Sequence, residues 1–221
     1  MSPVPCHLAA VKTDRSLSWI LPDDNRLFSV SRQNKLLRQK NPAVRSLSLA
    51  AELALCCALR SLDPGFQPPA DYAYAPSGQP HMPGGPYISL SHSGQYALAA
   101  AAPCPIGADI EGPVTARLSL AAQCLNDRER SVFEKSPFPN ETFRRFWVAK
   151  EAFVKLTGEG LAHPFRDVDV EEDSVNGAYV YRFSLDGHGG AVCARQPLVL
   201  SLTVTTSPMA LALFSRKGAS T

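Results

Sequence analysis

Long apolar runs are missing from this 221-residue chain. The best candidate, Ser46 to Leu59, is short and is interrupted by Glu52, whereas a membrane-spanning helix needs roughly 20 consecutive apolar residues. An excess of one charge sign is missing too: 22 Lys and Arg against 20 Asp and Glu leave a formal net charge of +2, which does not mark a nucleic-acid binder. The opening residues, MSPVPCHLAAVKTDR, lack a basic start followed by a long apolar stretch, so no signal peptide is expected. Six cysteines, at 6, 56, 57, 104, 124 and 193, form no C-x-x-C pair, which excludes metal-finger spacing. Without an export signal they are expected to be reduced thiols in a cytoplasmic protein. The composition is otherwise ordinary, with 45% apolar and 19% charged residues. That speaks against a disordered chain and allows a buried core in one large domain or two small lobes.

The first 31 residues offer only short apolar pieces, around Trp19-Ile20-Leu21 and Leu27-Phe28. Between Asn25 and Ala51 the acids vanish, while Arg26, Arg32, Lys35, Arg38, Lys40 and Arg45 remain. Arg32, Lys35 and Arg38 would share one helix face. Pro42 ends that helix and a second is expected from Ala43 to Arg60, with Leu47, Leu49, Leu53, Leu55 and Leu59 as its apolar positions. Residues 63 to 86 are rich in Pro and Gly and read as a long loop. Strands follow at 87–92 and 96–101 around the turn Ser93-Gly94-Gln95, and another at 106–111. Residues 117–135 and 140–157 have helical periodicity, the second stopped by Gly158 and Gly160, and the rest reads as strands to about Phe214. Residues 88–101 and 200–214 both read strand, turn, strand, and 106–111 resembles 165–170. The expectation is an α/β (α+β) fold of two similar, pseudo-symmetric lobes, residues 1–112 and 113–221.

Three constellations carry chemistry. Asp109 and Glu111, at i and i+2 of a strand, point to one side, with Ala108 and Ile110 on the other. Two adjacent anions repel unless a cation holds them, and hard oxygen ligands suit Mg²⁺ or Mn²⁺ better than zinc. The alternative is a strand edge with two solvated acids. Trp147, Glu151 and Lys155 fall on one stripe of a helix made apolar by Phe143, Phe146, Phe153 and Val154. An acid and a lysine desolvated there would suit a metal or phosphate, and the alternative is a routine helical ion pair. Ser91-His92-Ser93-Gly94 ends a strand. Adjacent strand residues point apart and no G-x-S-x-G elbow is present, which argues against a hydrolase nucleophile. A histidine among hydroxyls at a turn can donate to a phosphate oxygen, or can be structural.

Taken in order, Ser-Gly-Gln-Pro (77–80), Ile-Ser-Leu-Ser-His-Ser (88–93), Ile-Gly-Ala-Asp-Ile-Glu (106–111) and Trp-Val-Ala-Lys-Glu-Ala-Phe-Val-Lys (147–155) resemble the motifs of the 4′-phosphopantetheinyl transferases. Within that family the chain resembles the longer, monomeric, surfactin-synthetase-activating type. The resemblance implies transfer of phosphopantetheine from coenzyme A to a serine of an apo acyl or peptidyl carrier protein, releasing adenosine 3′,5′-bisphosphate. It implies Asp109, Glu111 and Glu151 as ligands of Mg²⁺, or of Mn²⁺, and Lys155 as a contact to the same diphosphate. It further implies Ser91 and His92 at the cofactor's 3′-phosphate, and Arg45, Arg32 and Lys35 as basic phosphate contacts. Glu151 is also the implied base for the carrier serine, directly or through water, so Glu151, Lys155 and Asp109 form the expected catalytic set. The chain departs from the pattern at Gln79, where the family usually has lysine, at Ala108 and at Val148. No membrane or nucleic-acid partner is expected. Two rivals remain at this level: a non-catalytic coenzyme A-binding module and a metal-dependent phosphohydrolase.

Overall fold

The structure is a computed structural model and describes residues 2–13, 27–160 and 164–215. The apolar piece at Trp19-Ile20-Leu21 and Arg26 lie outside the described residues. In chain order the elements are β1 (Val4–Lys12), α1 (Val30–Arg38), α2 (Pro42–Leu62), β2 (Ala73–Tyr74), β3 (Pro80–His81), β4 (Tyr87–Ser93), β5 (Tyr96–Ala102) and β6 (Ile106–Glu111). They continue with α3 (Leu118–Cys124), α4 (Asp127–Lys135), α5 (Pro139–Thr157), a 3₁₀ turn (Phe165–Asp167), β7 (Ser174–Val175), β8 (Ala178–Leu185), β9 (His188–Ala194), β10 (Leu198–Thr206) and α6 (Ser207–Ser215).

Two four-stranded sheets result, ordered β10-β1-β5-β4 and β6-β9-β8-β7. Alternation along the strands explains how they stack. Ala9 and Val11 of β1 and Ala97, Ala99 and Ala101 of β5 face α2, while Cys6, Leu8, Leu98 and Ala100 face the other way. There they meet Ile106, Ala108 and Ile110 of β6 and Val192 of β9. Ala191 and Cys193, on the opposite face of β9, pack beneath α5. The layers therefore run α2, sheet, sheet, α5, and the Ala-rich β5, buried along its whole length, lets three layers approach closely. By length and composition α2 could cross a membrane, but its apolar surface is spent on β1 and β5.

One long helix on each four-stranded sheet matches the expected pair of similar halves, but the sequence echoes do not locate them. Residues 200–214 form the end of β10 and then α6, not a hairpin, because Pro208 sits in a first helical turn where its missing N–H is tolerated. Residues 165–170 make a 3₁₀ turn and a single bridge at Val170, not a second β6. The strands also interleave across residue 112: β10 pairs parallel with β1, and β6 pairs antiparallel with β9. The helix expected over 117–135 is two helices. Asn126 caps α4 reciprocally with Glu129, a capping box that starts a new helix and ends the previous one. The loop at 63–86 carries the small β2–β3 hairpin.

Candidate active site

Edge strand β4 of the first sheet lies beside edge strand β6 of the second, and serine hydroxyls replace the missing ladder between them. Ser89, Ser91 and Ser93 alternate along β4 and so share a face. Their Oγ atoms accept from the backbone N–H of Ala108 at 2.9 Å, Ile110 at 3.4 Å and Gly112 at 3.0 Å. Two of these hydroxyls then donate onward, Ser91 to Asp109 Oδ1 at 2.6 Å and Ser93 to Glu111 Oε1. A hydroxyl has one proton and two lone pairs, so Ser91 and Ser93 each fix an edge amide and a carboxylate together, while Ser89 donates to the Ala108 carbonyl at 3.4 Å.

Helix α5 approaches β6 at Gly107. A Cβ there would stand 1.9 Å from the carbonyl oxygen of Ala152 and 2.4 Å from the amide nitrogen of Leu156, so only glycine admits the helix. That approach delivers Lys155, whose Nζ lies 2.6 Å from Asp109 Oδ1. Glu151, one turn earlier, stands on the same cavity wall with Trp147. Burial, then the charge of Asp109, raises the Glu151 carboxyl above the ordinary glutamate range; Lys155 opposes this and Glu111 adds to it.

The helix is held at its end by a residue the sequence reading valued only as a departure. Gln79 Nε2 donates to the carbonyl of Lys155 at 2.8 Å. Gly158, at φ 75°, ends α5 in the left-handed conformation, and a Cβ there would fall 2.4 Å from Gln79 Oε1. Ala108 and Val148, the other two departures, are buried packing positions. Below the site, Lys150 and Glu129 form an ion pair at 2.7 Å with both side chains fully buried. Lys150 Nζ also donates to the carbonyls of Phe165 and Val168, and Glu129 accepts from the Val170 amide. Every polar atom of the pair is used, as a buried pair requires.

Of the residues singled out from sequence, Asp109, Glu111, Glu151, Lys155, Ser91, His92 and Lys35 line one cavity of about 560 Å³. Arg32 and Arg45 do not line it. The guanidinium of Arg32 is buried 4.1 Å from the Tyr72 ring centroid and 4.6 Å from that of Tyr74, with Nε 3.6 Å from Glu52 Oε1. Arg45 donates twice to the carbonyl of Gln39, at 3.0 and 2.6 Å, and ties α1 to α2. Among the described residues no group of three acidic, histidine or cysteine side chains is gathered into a ready metal cluster. The donor chemistry nonetheless suits a hard divalent cation: three carboxylates line one cavity, two oriented by serines and the third resisting ionisation beside the others.

Residues 105–202 match the model of the 4′-phosphopantetheinyl transferase superfamily, a span containing Asp109, Glu111, Glu151 and Lys155. The 4′-phosphopantetheinyl transferase Sfp of Bacillus subtilis is 30% identical over 136 residues, which cover 54% of this chain and 61% of that protein. The chain thus spans about three fifths of that relative's length. The slr0495 protein of Synechocystis, provisionally described as the same kind of transferase, is 29% identical over 178 residues, 76% of this chain and 71% of its own. Among solved structures, the Thermotoga maritima holo-[acyl-carrier-protein] synthase is 25% identical with a TM-score of 0.35. It covers 40% of this chain and 61% of its own, an overlay too loose to bear on function. By the superfamily model over residues 105–202 and the Bacillus relative, the chain is similar to the 4′-phosphopantetheinyl transferases.

Proposed function

We propose that the protein transfers the 4′-phosphopantetheine arm of coenzyme A to a serine of an apo acyl or peptidyl carrier protein and releases adenosine 3′,5′-bisphosphate. The observation that carries this reading is that Asp109, Glu111, Glu151 and Lys155 line one cavity, within the segment that matches the transferase superfamily.

Asp109, Glu111 and Glu151 would hold Mg²⁺, or Mn²⁺ in its place. When bound, the ion supplies a fixed positive charge for the diphosphate oxygens as the bond to the leaving nucleotide breaks. The chain's own residues do the rest. Lys155, already facing Asp109, stabilises charge on the same oxygens. Lys35 and His92, on the cavity rim, are placed for the cofactor's other phosphate. Ser91 and Ser93 keep the carboxylates of Asp109 and Glu111 aimed at the cavity, which preorganises the wall. Glu151, on the cavity wall, accepts the proton of the attacking serine, directly or through a water. The nucleophile comes from the carrier, so the chain needs none of its own. We take the protein to be cytoplasmic; burial pushes the thiols of Cys6, Cys56 and Cys193 up to about 12 and leaves them unreactive. We take the protein to act as a monomer.

Mass spectrometry of an apo carrier protein incubated with the chain, coenzyme A and Mg²⁺ tests the reading. The carrier should gain the mass of one phosphopantetheine. Coenzyme A consumed with no change in carrier mass would indicate a phosphohydrolase instead. Coenzyme A bound but left intact would indicate a binding module.

A further inference from the structure

A second cavity, of about 480 Å³, adjoins the first, and Glu111 lines both. The two differ in kind. The first carries Lys35, His92, Asp109, Glu151 and Lys155. Apart from Glu111 and His188, the described residues that line the second are uncharged, with hydroxyls from Thr13, Ser46 and Ser93, the amide of Gln95 and the side chain of Leu47.

His188 stands out on this lining. It is 6% exposed, its Nδ1 faces the carbonyl of Asp186 at 3.2 Å, and its ring meets Tyr96 edge-on at 5.2 Å. Its Nε2 has no hydrogen-bond partner among the described residues. That atom looks into the gap between Gly94 and Gly112, both of which line the cavity. A Cβ on Gly94 would lie 3.0 Å from it, and one on Gly112 3.2 Å. A side chain at either position would therefore stand between the ring and the cavity. Leaving a buried polar atom unpaired is costly, and native structures keep few of them.

We propose that this second cavity binds the uncharged arm of coenzyme A, a flexible chain of amides, methylenes and a hydroxyl, with His188 Nε2 pairing to a polar group of the arm. The match is one of chemistry and continuity. The anionic part of the molecule belongs with the charged wall, and the arm leaves the diphosphate at Glu111 for a neutral, polar-and-apolar lining. The proposal rests on the functional reading above and extends it from the diphosphate to the arm.

Isothermal titration with coenzyme A and with adenosine 3′-phosphate 5′-diphosphate, both in magnesium chloride, separates the two parts of the ligand. The unaltered protein should bind coenzyme A about tenfold or more tighter than this nucleotide, which keeps the diphosphate and lacks the arm; equal affinities overturn the proposal. His188→Phe keeps the ring packing on Tyr96 and removes the nitrogen, and Leu47→Trp fills the cavity from α2. Each should weaken coenzyme A about tenfold and leave the nucleotide unchanged. Equal loss for both ligands, or no loss for either, refutes it. An unaltered protein that binds neither ligand removes the transferase reading itself and this proposal with it, so the two failures are distinguishable.

Discussion

Replacing Gly107 by alanine puts a methyl group where α5 already touches β6. The new Cβ would lie 1.9 Å from the Ala152 carbonyl oxygen, 2.4 Å from the Leu156 amide and 2.9 Å from the Lys155 carbonyl carbon. All three are backbone atoms, so no side chain can rotate away. Restoring even a 3.0 Å contact to the carbonyl requires the helix to retreat by 1.1 Å, the difference from 1.9 Å. Overpacking of this kind costs about 1–3 kcal/mol. In a chain of this size each kcal/mol lowers Tm by about 2–4 °C, so the variant should melt a few degrees lower yet remain folded. The catalytic loss should be larger in proportion, because the displaced segment carries Lys155, now 2.6 Å from Asp109. A misplacement of about 1 Å costs about 10²-fold in rate. Carrier modification followed by mass spectrometry, beside a thermal melt, reads both effects. Wild-type rate and wild-type Tm together would refute the contact between helix and strand on which the site geometry depends.

Three further outcomes follow from the same contacts. Lys150→Met leaves the fully buried Glu129 without its partner, so urea unfolding should show a loss of about 3–5 kcal/mol. The double variant Lys150→Met, Glu129→Leu should recover only part of it, because the Asn126 and Val170 amides then lose their acceptor. Glu151→Gln should abolish transfer and raise the Tm of the metal-free protein at neutral pH. The Glu151 carboxyl is raised in the folded state, so its ionised form opposes folding above that raised value, and the penalty is relieved as pH falls through it toward the ordinary glutamate range. The Tm advantage of Gln should shrink along the same path, and a gain that grows on acidification would contradict the sign. Gln79→Leu removes the donor to the Lys155 carbonyl, a loss of about 0.5–1.5 kcal/mol in stability. It should lower kcat more than it raises KM for coenzyme A.

Much of the site was legible because its signals are local. The spacing of Asp109 and Glu111 put both carboxylates on one side of β6, and the periodicity around Trp147, Glu151 and Lys155 put them on one wall of α5, as observed. The capping box at Asn126 and Glu129 was also in the sequence and would have divided the helix expected over 117–135. Other features depend on distant partners. The alternation of Ser89, Ser91 and Ser93 is visible, but the free edge of β6 that gives it meaning is not. Arg32 has the spacing of a phosphate contact, yet the rings of Tyr72 and Tyr74, some 40 residues away in sequence, enclose it. The strand order is long-range too: nothing near Val4 announces a parallel partner at Leu198. Gln79 read as a lost lysine because its partner, a backbone carbonyl at the end of α5, has no sequence signature.

The central claim is that Asp109, Glu111 and Glu151 share one divalent ion at the diphosphate of coenzyme A. Crystals grown with Mn²⁺ and coenzyme A test it most directly through anomalous scattering. The account requires a single manganese peak with an oxygen of each of the three carboxylates at about 2.0–2.4 Å, touching the diphosphate. A peak that omits any of the three, or a diphosphate seated in the cavity with no metal beside it, would contradict it.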